Sequence, residues 1–297
     1  MPKHLTEAQI EQYHRDGFVF PMRALSTAEV AEARRKLEDF ERSVGGEAQE
    51  HLKVKAHLPF KFIADIVTHP RILDAVEDLV GPNILCWGSA FFQKGAKDLR
   101  YVSWHQDSYY YGIDPACTAT VWFAFSTSNV LSGSVRVIPG SHKTQAEFVE
   151  TPDQHNMLVR GQTIKNVDAA KAVHMNLEAG EFSIHHESIV HSSEPNNSDD
   201  RRIGISIHYI PTHAQQIKYK NGGKKPSAAL VRGIDAFNHW STTSCPRSSS
   251  TLWRCRVSGP RARSSSHAGA MAERSPFSPS PVQREKEGKG VTPARAR

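Results

Sequence analysis

The sequence predicts a mainly β fold with N-terminal helices, packed as a jelly-roll-like barrel of short strands. Three observations carry that expectation. Helical periodicity is confined to the first part of the chain. From about residue 84 it gives way to short runs rich in β-branched and aromatic residues, and Gly, Pro and Asp punctuate those runs at turn spacing. Residues 6–17 and 26–43 read as helices. In "STAEVAEARRKLEDFERSV" Ser26 is placed as an N-cap with Glu29 three residues on, and Val30, Ala33, Leu37 and Phe40 repeat at helical spacing. A third helix is expected over "HPRILDAVEDLVG", with Pro70 near its start and Gly81 at its end. "NILCWGSAFFQK", "YVSWHQ", "TATVWFAFS", "SVRVIPGS", "GEFSIHH" and "RRIGISIHYI" then read as strands, and "GSVRVIPGSH" supplies the turn residues Gly133, Pro139 and Gly140. Residues 143–178 are more polar and weakly patterned, which predicts a lid or binding loop.

Composition bounds the function classes. The chain has 297 residues, 38% of them hydrophobic, enough to bury a core. No run approaches the ~18–20 apolar residues of a membrane span, and the N-terminus lacks the apolar stretch of a secretion signal. The expectation is a soluble cytoplasmic protein with no membrane partner. Cys86, Cys117, Cys245 and Cys255 show no paired spacing and read as free thiols. The net charge of +6 is concentrated in residues 241–297, which hold 11 Lys or Arg against 3 Glu, leaving residues 1–240 at −2. That segment also holds 12 Ser and 6 Pro. The folded domain is therefore placed at 1–236. Residues 237–297 read as a basic, disordered tail whose abrupt change of composition suggests a frame-shifted or alternative C-terminus. No nucleic-acid partner is expected of the folded domain, because only the tail is basic.

Three H-x-[D/E] pairs compete for chemistry. His14 and Asp16 fall in a helix, where residues two apart point about 200° away from each other and cannot share an ion. His185 and Glu187 end a strand and could ligate in principle. His105 and Asp107 follow "YVSW", and on a strand positions i and i+2 share a face, so geometry favours this pair. His191 offers a third donor. Two imidazoles and one carboxylate leave open positions on an octahedral metal, the facial-triad logic of non-haem Fe(II) oxygenases, although the same set serves hydrolytic zinc. A co-substrate site would separate the two. In "RRIGISIHYI" the alternation puts Ile203, Ile205, Ile207 and Tyr209 on one face and Arg202, Gly204, Ser206 and His208 on the other. Arg202 would then look inward and need an anion, such as the distal carboxylate of 2-oxoglutarate, while Arg201 would be a solvated charge.

The ordered segments "YHRDGFVF", "WHQD", "GSVRVIPGSHK" and "HHESIVHSSEPNNSDDRRIG" make the chain resemble the phytanoyl-CoA dioxygenase (PhyH-like) family of Fe(II)/2-oxoglutarate oxygenases over about residues 6–236. The resemblance implies a double-stranded β-helix, cupin-like fold, with Fe(II) held by His105, Asp107 and His191 and 2-oxoglutarate held by Arg202. It also implies O2 as a co-substrate, Trp122 near the 2-oxoglutarate and Ser193 in polar contact with it, although "HSS" stands where "HGS" is commoner. Halogenating relatives carry a small residue at the carboxylate position; Asp107 points to hydroxylation, with decarboxylation of 2-oxoglutarate to succinate. His185, His186, Trp104, Tyr109, Tyr110 and Tyr111 are open between site and framework roles. The expected partner is a small-molecule substrate. The rival expectation is a catalytically impaired or non-enzymatic product of the same fold, its C-terminus having removed elements that the activity needs.

Overall fold

The computed structural model describes residues 1–246. Its helices are α1 (Glu7–Asp16), α2 (Thr27–Val44), α3 (Ala48–His51), α4 (Lys61–Val67), α5 (Pro70–Val80), α6 (Ser108–Tyr111) and α7 (Ile217–Lys220). The capping box of α2 forms as expected: Ser26 N donates to Glu29 (2.8 Å) and Glu29 N to Ser26 Oγ (3.3 Å), and Gly45 ends the helix in the left-handed region. Thr6 and Gln9 build the same box on α1.

The strands form two main sheets. The larger runs in the order β1 (Phe18–Arg23), β10 (Glu181–His186), β5 (Ala119–Ala124), β12 (Arg202–Pro211), β2 (Ile84–Lys94), β14 (Ser227–Arg232) and β15 (Ser241–Thr243). The smaller runs β3 (Val102–His105), β11 (His191–Ser193), β6 (Val135–Val137) and β9 (Val173–His174). Two short pairs complete them: β4 (Ile113–Asp114) with β13 (Gln215–Gln216), and β7 (Phe148–Glu150) with β8 (Gln162–Ile164). Trp122 and Ala124 of the large sheet pack against Val135, Val137, Met175 and Leu177, so the two sheets face each other as a jelly roll without closing into a continuous barrel.

Strand alternation sets the layers. Ile203, Ile205, Ile207 and Tyr209 of β12, with Val121 and Phe123 of β5 and Phe182 and Ile184 of β10, form the outer face of the large sheet. That face packs under Leu37, Ile63, Ile66, Ile72, Leu73 and Val76 of the helices. Tyr209 Oη donates to the Val67 carbonyl (2.7 Å), tying β12 to α4. The other face looks into the space between the sheets. Its rungs follow from the register: His185, Thr120, His208 and Gly88 lie in one row, and Ser183, Trp122, Ser206 and Ala90 in the next. At the far end Arg202 pairs with Lys94. All ten residues of β12 are buried, so its polar face is as enclosed as its apolar one.

Several expectations need correction. Strand β3 stops at His105, and Asp107 is helical (φ −64°, ψ −32°) at the start of the single turn α6, so the shared-strand-face reason for the His105–Asp107 pair does not hold. Arg201 is not a free solvated charge, since it pairs with Glu41 at 2.9 Å and 3.0 Å. The 143–178 stretch is partly built into the fold: β8 lies beside β3, Ser103 Oγ donates to the Gln162 carbonyl, and Gln106 N donates to Gln162 Oε1 (3.0 Å). Regular structure also runs past the expected boundary at 236. Trp240 is 2% exposed, packs with Leu85, Ile113, Ile210 and Ala228, and donates from Nε1 to the Ala214 carbonyl (2.8 Å), while β15 pairs parallel to β14. The sequence misses this because Trp240 is a single anchor inside a polar stretch. Cys255 and the rest of the expected tail, from residue 247, lie outside the described residues.

Emptying the Trp240 site should cost about 3–5 kcal/mol, the usual loss for a buried large aromatic replaced by Ala. Urea unfolding of Trp240→Ala and of a chain ending at residue 236 should therefore show lower midpoints than a chain ending at 246. Equal midpoints would restore the boundary at 236.

Candidate active site

Three donors converge between the sheets. His191 of β11 and His105 of β3 are directly registered cross-strand partners, and their ring centroids lie 4.0 Å apart. The ligand atoms of His105, Asp107 and His191 all lie within 4.8 Å of one another, and no other group of three or more such residues is found among the described residues. Asp107 Oδ1 is 3.3 Å from His105 Nε2 and 4.0 Å from His191 Nε2.

Backbone carbonyls orient both rings in the same way. His105 Nδ1 bonds the Ser103 carbonyl (2.8 Å) and His191 Nδ1 the Ile189 carbonyl (3.0 Å). A carbonyl only accepts, so each Nδ1 carries the proton and each Nε2 keeps its lone pair toward the centre of the triad. Burial, aided by the neighbouring His105, pushes the His191 imidazole down to about 4, so it is neutral and able to donate that lone pair at neutral pH. Burial acting alone would raise the Asp107 carboxyl, but the imidazoles of His191 and His105 outweigh it and hold the group below the usual carboxylate range. The triad thus offers one carboxylate and two imidazoles whose Nε2 atoms face its centre, which fits a divalent metal.

The second oxygen of Asp107 is occupied. Tyr111 Oη, one helical turn on in α6, donates to Oδ2 (2.7 Å), and its ring packs edge-on against both Trp87 (4.7 Å) and His208 (4.8 Å), which stack on each other (5.1 Å). Gln106, between the two donors, points elsewhere: its amide clamps the Thr144 and Ser188 carbonyls and accepts from Ala146 N (2.9 Å). His185 is fully enclosed on the inner face of β10. Its ring is 5.0 Å from that of His191, and neither ring nitrogen has a protein partner. It is no strand-end polar residue. His186 instead stacks near His142 (5.3 Å), and Glu187 accepts from Thr118 N (2.9 Å). Among the aromatics, Trp104 carries Arg136 on its ring (4.6 Å), Tyr109 packs on Phe148 (4.3 Å), and Tyr110 lies 5.9 Å from Arg160. Of the three tyrosines, only Tyr111 bonds a side chain of the triad.

At the other end of the inner face the structure brings Arg202 and Trp122 together. The guanidinium carbon lies 5.3 Å from the Trp122 ring centroid, and a Cβ at Gly204 would fall 2.0 Å from that indole, so only glycine lets the ring lie there. Arg202 is 1% exposed, and its Nε and Nη2 have no partner. Ser193, two residues past His191, gives its Oγ to Lys94 Nζ (2.7 Å), a contact that sequence reasoning did not foresee. Lys94 could be found only from the register that pairs it with Arg202.

The profile of the Phytanoyl-CoA dioxygenase (PhyH) family matches residues 13–204, which contain all six residues singled out in the sequence. Human peroxisomal phytanoyl-CoA dioxygenase is 28% identical over 176 residues, 56% of this chain and 51% of that enzyme, so the chain matches about half of its length. The apo structure of the non-haem monooxygenase ThoJ is 33% identical, with a TM-score of 0.71 over 81% of this chain and 89% of that one. CytC3 with Fe(II) and α-ketoglutarate is 25% identical, with a TM-score of 0.58 over 81% of this chain and 95% of that one. With its profile match spanning most of the chain and running through the donor triad and Arg202, the protein belongs to the phytanoyl-CoA dioxygenase (PhyH) family of Fe(II)/2-oxoglutarate-dependent oxygenases.

Proposed function

We infer that the chain hydroxylates a small organic substrate, with His105, Asp107 and His191 holding Fe(II) and Arg202 holding the distal carboxylate of 2-oxoglutarate. The observation that carries this reading is the pairing of two features between the sheets: a carboxylate and two imidazoles whose ligand atoms lie within 4.8 Å of one another, and a buried guanidinium that no carboxylate of the described residues pairs with. CytC3, similar over most of its length, holds both of these cofactors in its structure. Iron bound there would supply O2 activation coupled to oxidative decarboxylation of 2-oxoglutarate, and the oxidation of a substrate C–H bond. The chain's own part is orientation and exclusion of water. The carbonyls of Ser103 and Ile189 fix the imidazole tautomers, Tyr111 leaves Oδ1 of Asp107 as the free oxygen, and Trp122 and Gly204 shape the wall beside Arg202. Ser193 reaches the co-substrate end through Lys94. No helix among the described residues is long and apolar enough to cross a membrane. Cys86, Cys117 and Cys245 are free thiols, in keeping with a reducing, cytoplasmic setting.

Succinate formation from 2-oxoglutarate with added Fe(II), across candidate substrates, tests the reaction; well-folded protein without turnover would overturn it. Asp107→Ala should abolish both iron binding and succinate formation. Asp16→Ala should change neither, since that carboxylate is bonded to the adjacent Arg15 on α1. Equal effects of the two would reject the triad.

Tyr111→Phe removes only the donor to Asp107 Oδ2. Loss of such a supporting bond typically lowers metal affinity about 10–100-fold, so a Co(II) or Fe(II) titration should show that drop with little change in the unfolding midpoint. Unchanged affinity would mean that packing alone holds Asp107 in place.

A further inference from the structure

Beside Arg202 on the inner face lies a second buried basic group. Lys94 is 0% exposed, faces Arg202 across the β2–β12 ladder, and reaches Ser193 Oγ (2.7 Å), the Ser193 carbonyl (3.4 Å) and the Glu194 carbonyl. All of these partners are neutral. The acids nearest to it are committed elsewhere: Asp98 to Arg100, and Glu194 to Arg136. Neither Lys94 nor Arg202 forms an ion pair among the described residues. Charging a buried amine beside a buried guanidinium is costly unless an anion completes the pair.

We propose that Lys94 is a second cation of the 2-oxoglutarate site, which binds the distal carboxylate jointly with Arg202 and couples that binding to the uptake of one proton. The inference rests on the reading of the site given above and adds to it a residue and a pH dependence. The groups facing Lys94 are Arg202 from β12, Ser193 and the Glu194 backbone from β11 and the residue after it, and Asp98 and Arg100 from the segment between β2 and β3. Burial first, and Arg202 second, push the Lys94 ammonium down to about 6, so the free site holds it mostly neutral near pH 7.5. Arg202, pushed down by burial only to about 10, keeps its charge throughout. A carboxylate entering between them favours the charged amine and raises its proton affinity. The proton comes from solvent, and no bond other than Nζ–H forms. The sign follows directly. 2-Oxoglutarate binds most tightly below pH 6 and weakens as pH rises, by up to about tenfold per pH unit, until the bound-state pKa is passed.

The test is isothermal titration of the full chain, loaded with Mn(II) so that no turnover occurs, with 2-oxoglutarate between pH 6 and 8 in buffers of different ionisation enthalpy. Wild type should take up close to one proton per 2-oxoglutarate at pH 7.5 and lose affinity as pH rises. Lys94→Met should bind more weakly at pH 6 and take up no proton. Lys94→Arg, with a permanent charge, should bind without proton uptake and with an affinity independent of pH. Tight binding to wild type with no buffer dependence would overturn the role of Lys94 and leave the oxygenase reading standing. No binding to metal-loaded wild type at any pH would overturn both.

Discussion

The site depends on one constraint: β12 is buried on both faces. Its outward row, Ile203, Ile205, Ile207 and Tyr209, lies in the core beneath the helices, and each such side chain contributes about 1.5–3 kcal/mol by leaving water. A slip of one residue would turn that row into the chamber and drive Arg202, Ser206 and His208 into the apolar layer. The apolar layer therefore sets the register of the polar one. Because β12 pairs with β5 on one side and β2 on the other, the same register delivers Trp122, Thr120 and Lys94 to the chamber wall. The buried cations are held by hydrophobic free energy that has nothing to do with their chemistry.

The metal pole is held by local devices instead. Cross-strand register brings the two imidazoles together, and the carbonyls two residues before each ring fix which nitrogen is free. Asp107 reaches them from a helical turn, not from the strand, and the turn has a use. Its four-residue spacing places Tyr111 over the same carboxylate, so one short element supplies both the carboxylate and the group that orients it. Gln106, between the donors, faces the opposite way and pins the segments that lead to β7 and to His191, so the motif is anchored on both sides of the metal pole.

Much of this was legible in the sequence, for reasons that can be named. Alternation in "RRIGISIHYI" put Arg202 inside because period 2 survives on a strand buried on both sides. Ser26 and Glu29 marked the start of α2 because a capping box is local chemistry. His105 and Asp107 do come together, but not for the local reason expected, since nothing in "WHQDSYYYG" announces that the strand ends at His105. Lys94 and His185 were not assignable because their places depend on register between segments far apart in the chain, and Tyr111 because the turn that sets it over Asp107 reads as strand. Arg201 was misread for the same cause: its partner Glu41 lies 160 residues away on α2.

The triad taken alone leaves the choice of metal open, and Arg202 bears on it. Two imidazoles and a carboxylate suit hydrolytic zinc as well as Fe(II). A zinc-bound hydroxide, however, needs no second anion site inside the protein. Leaving Nε and Nη2 of a buried guanidinium unbonded, with a buried amine beside it, costs several kcal/mol with no return in a hydrolase. The fold retains both basic groups on the inner face of strands whose register the core enforces. A guanidinium enclosed on that face suits the dicarboxylate co-substrate of the family's Fe(II)/2-oxoglutarate chemistry and has no counterpart in the zinc reading.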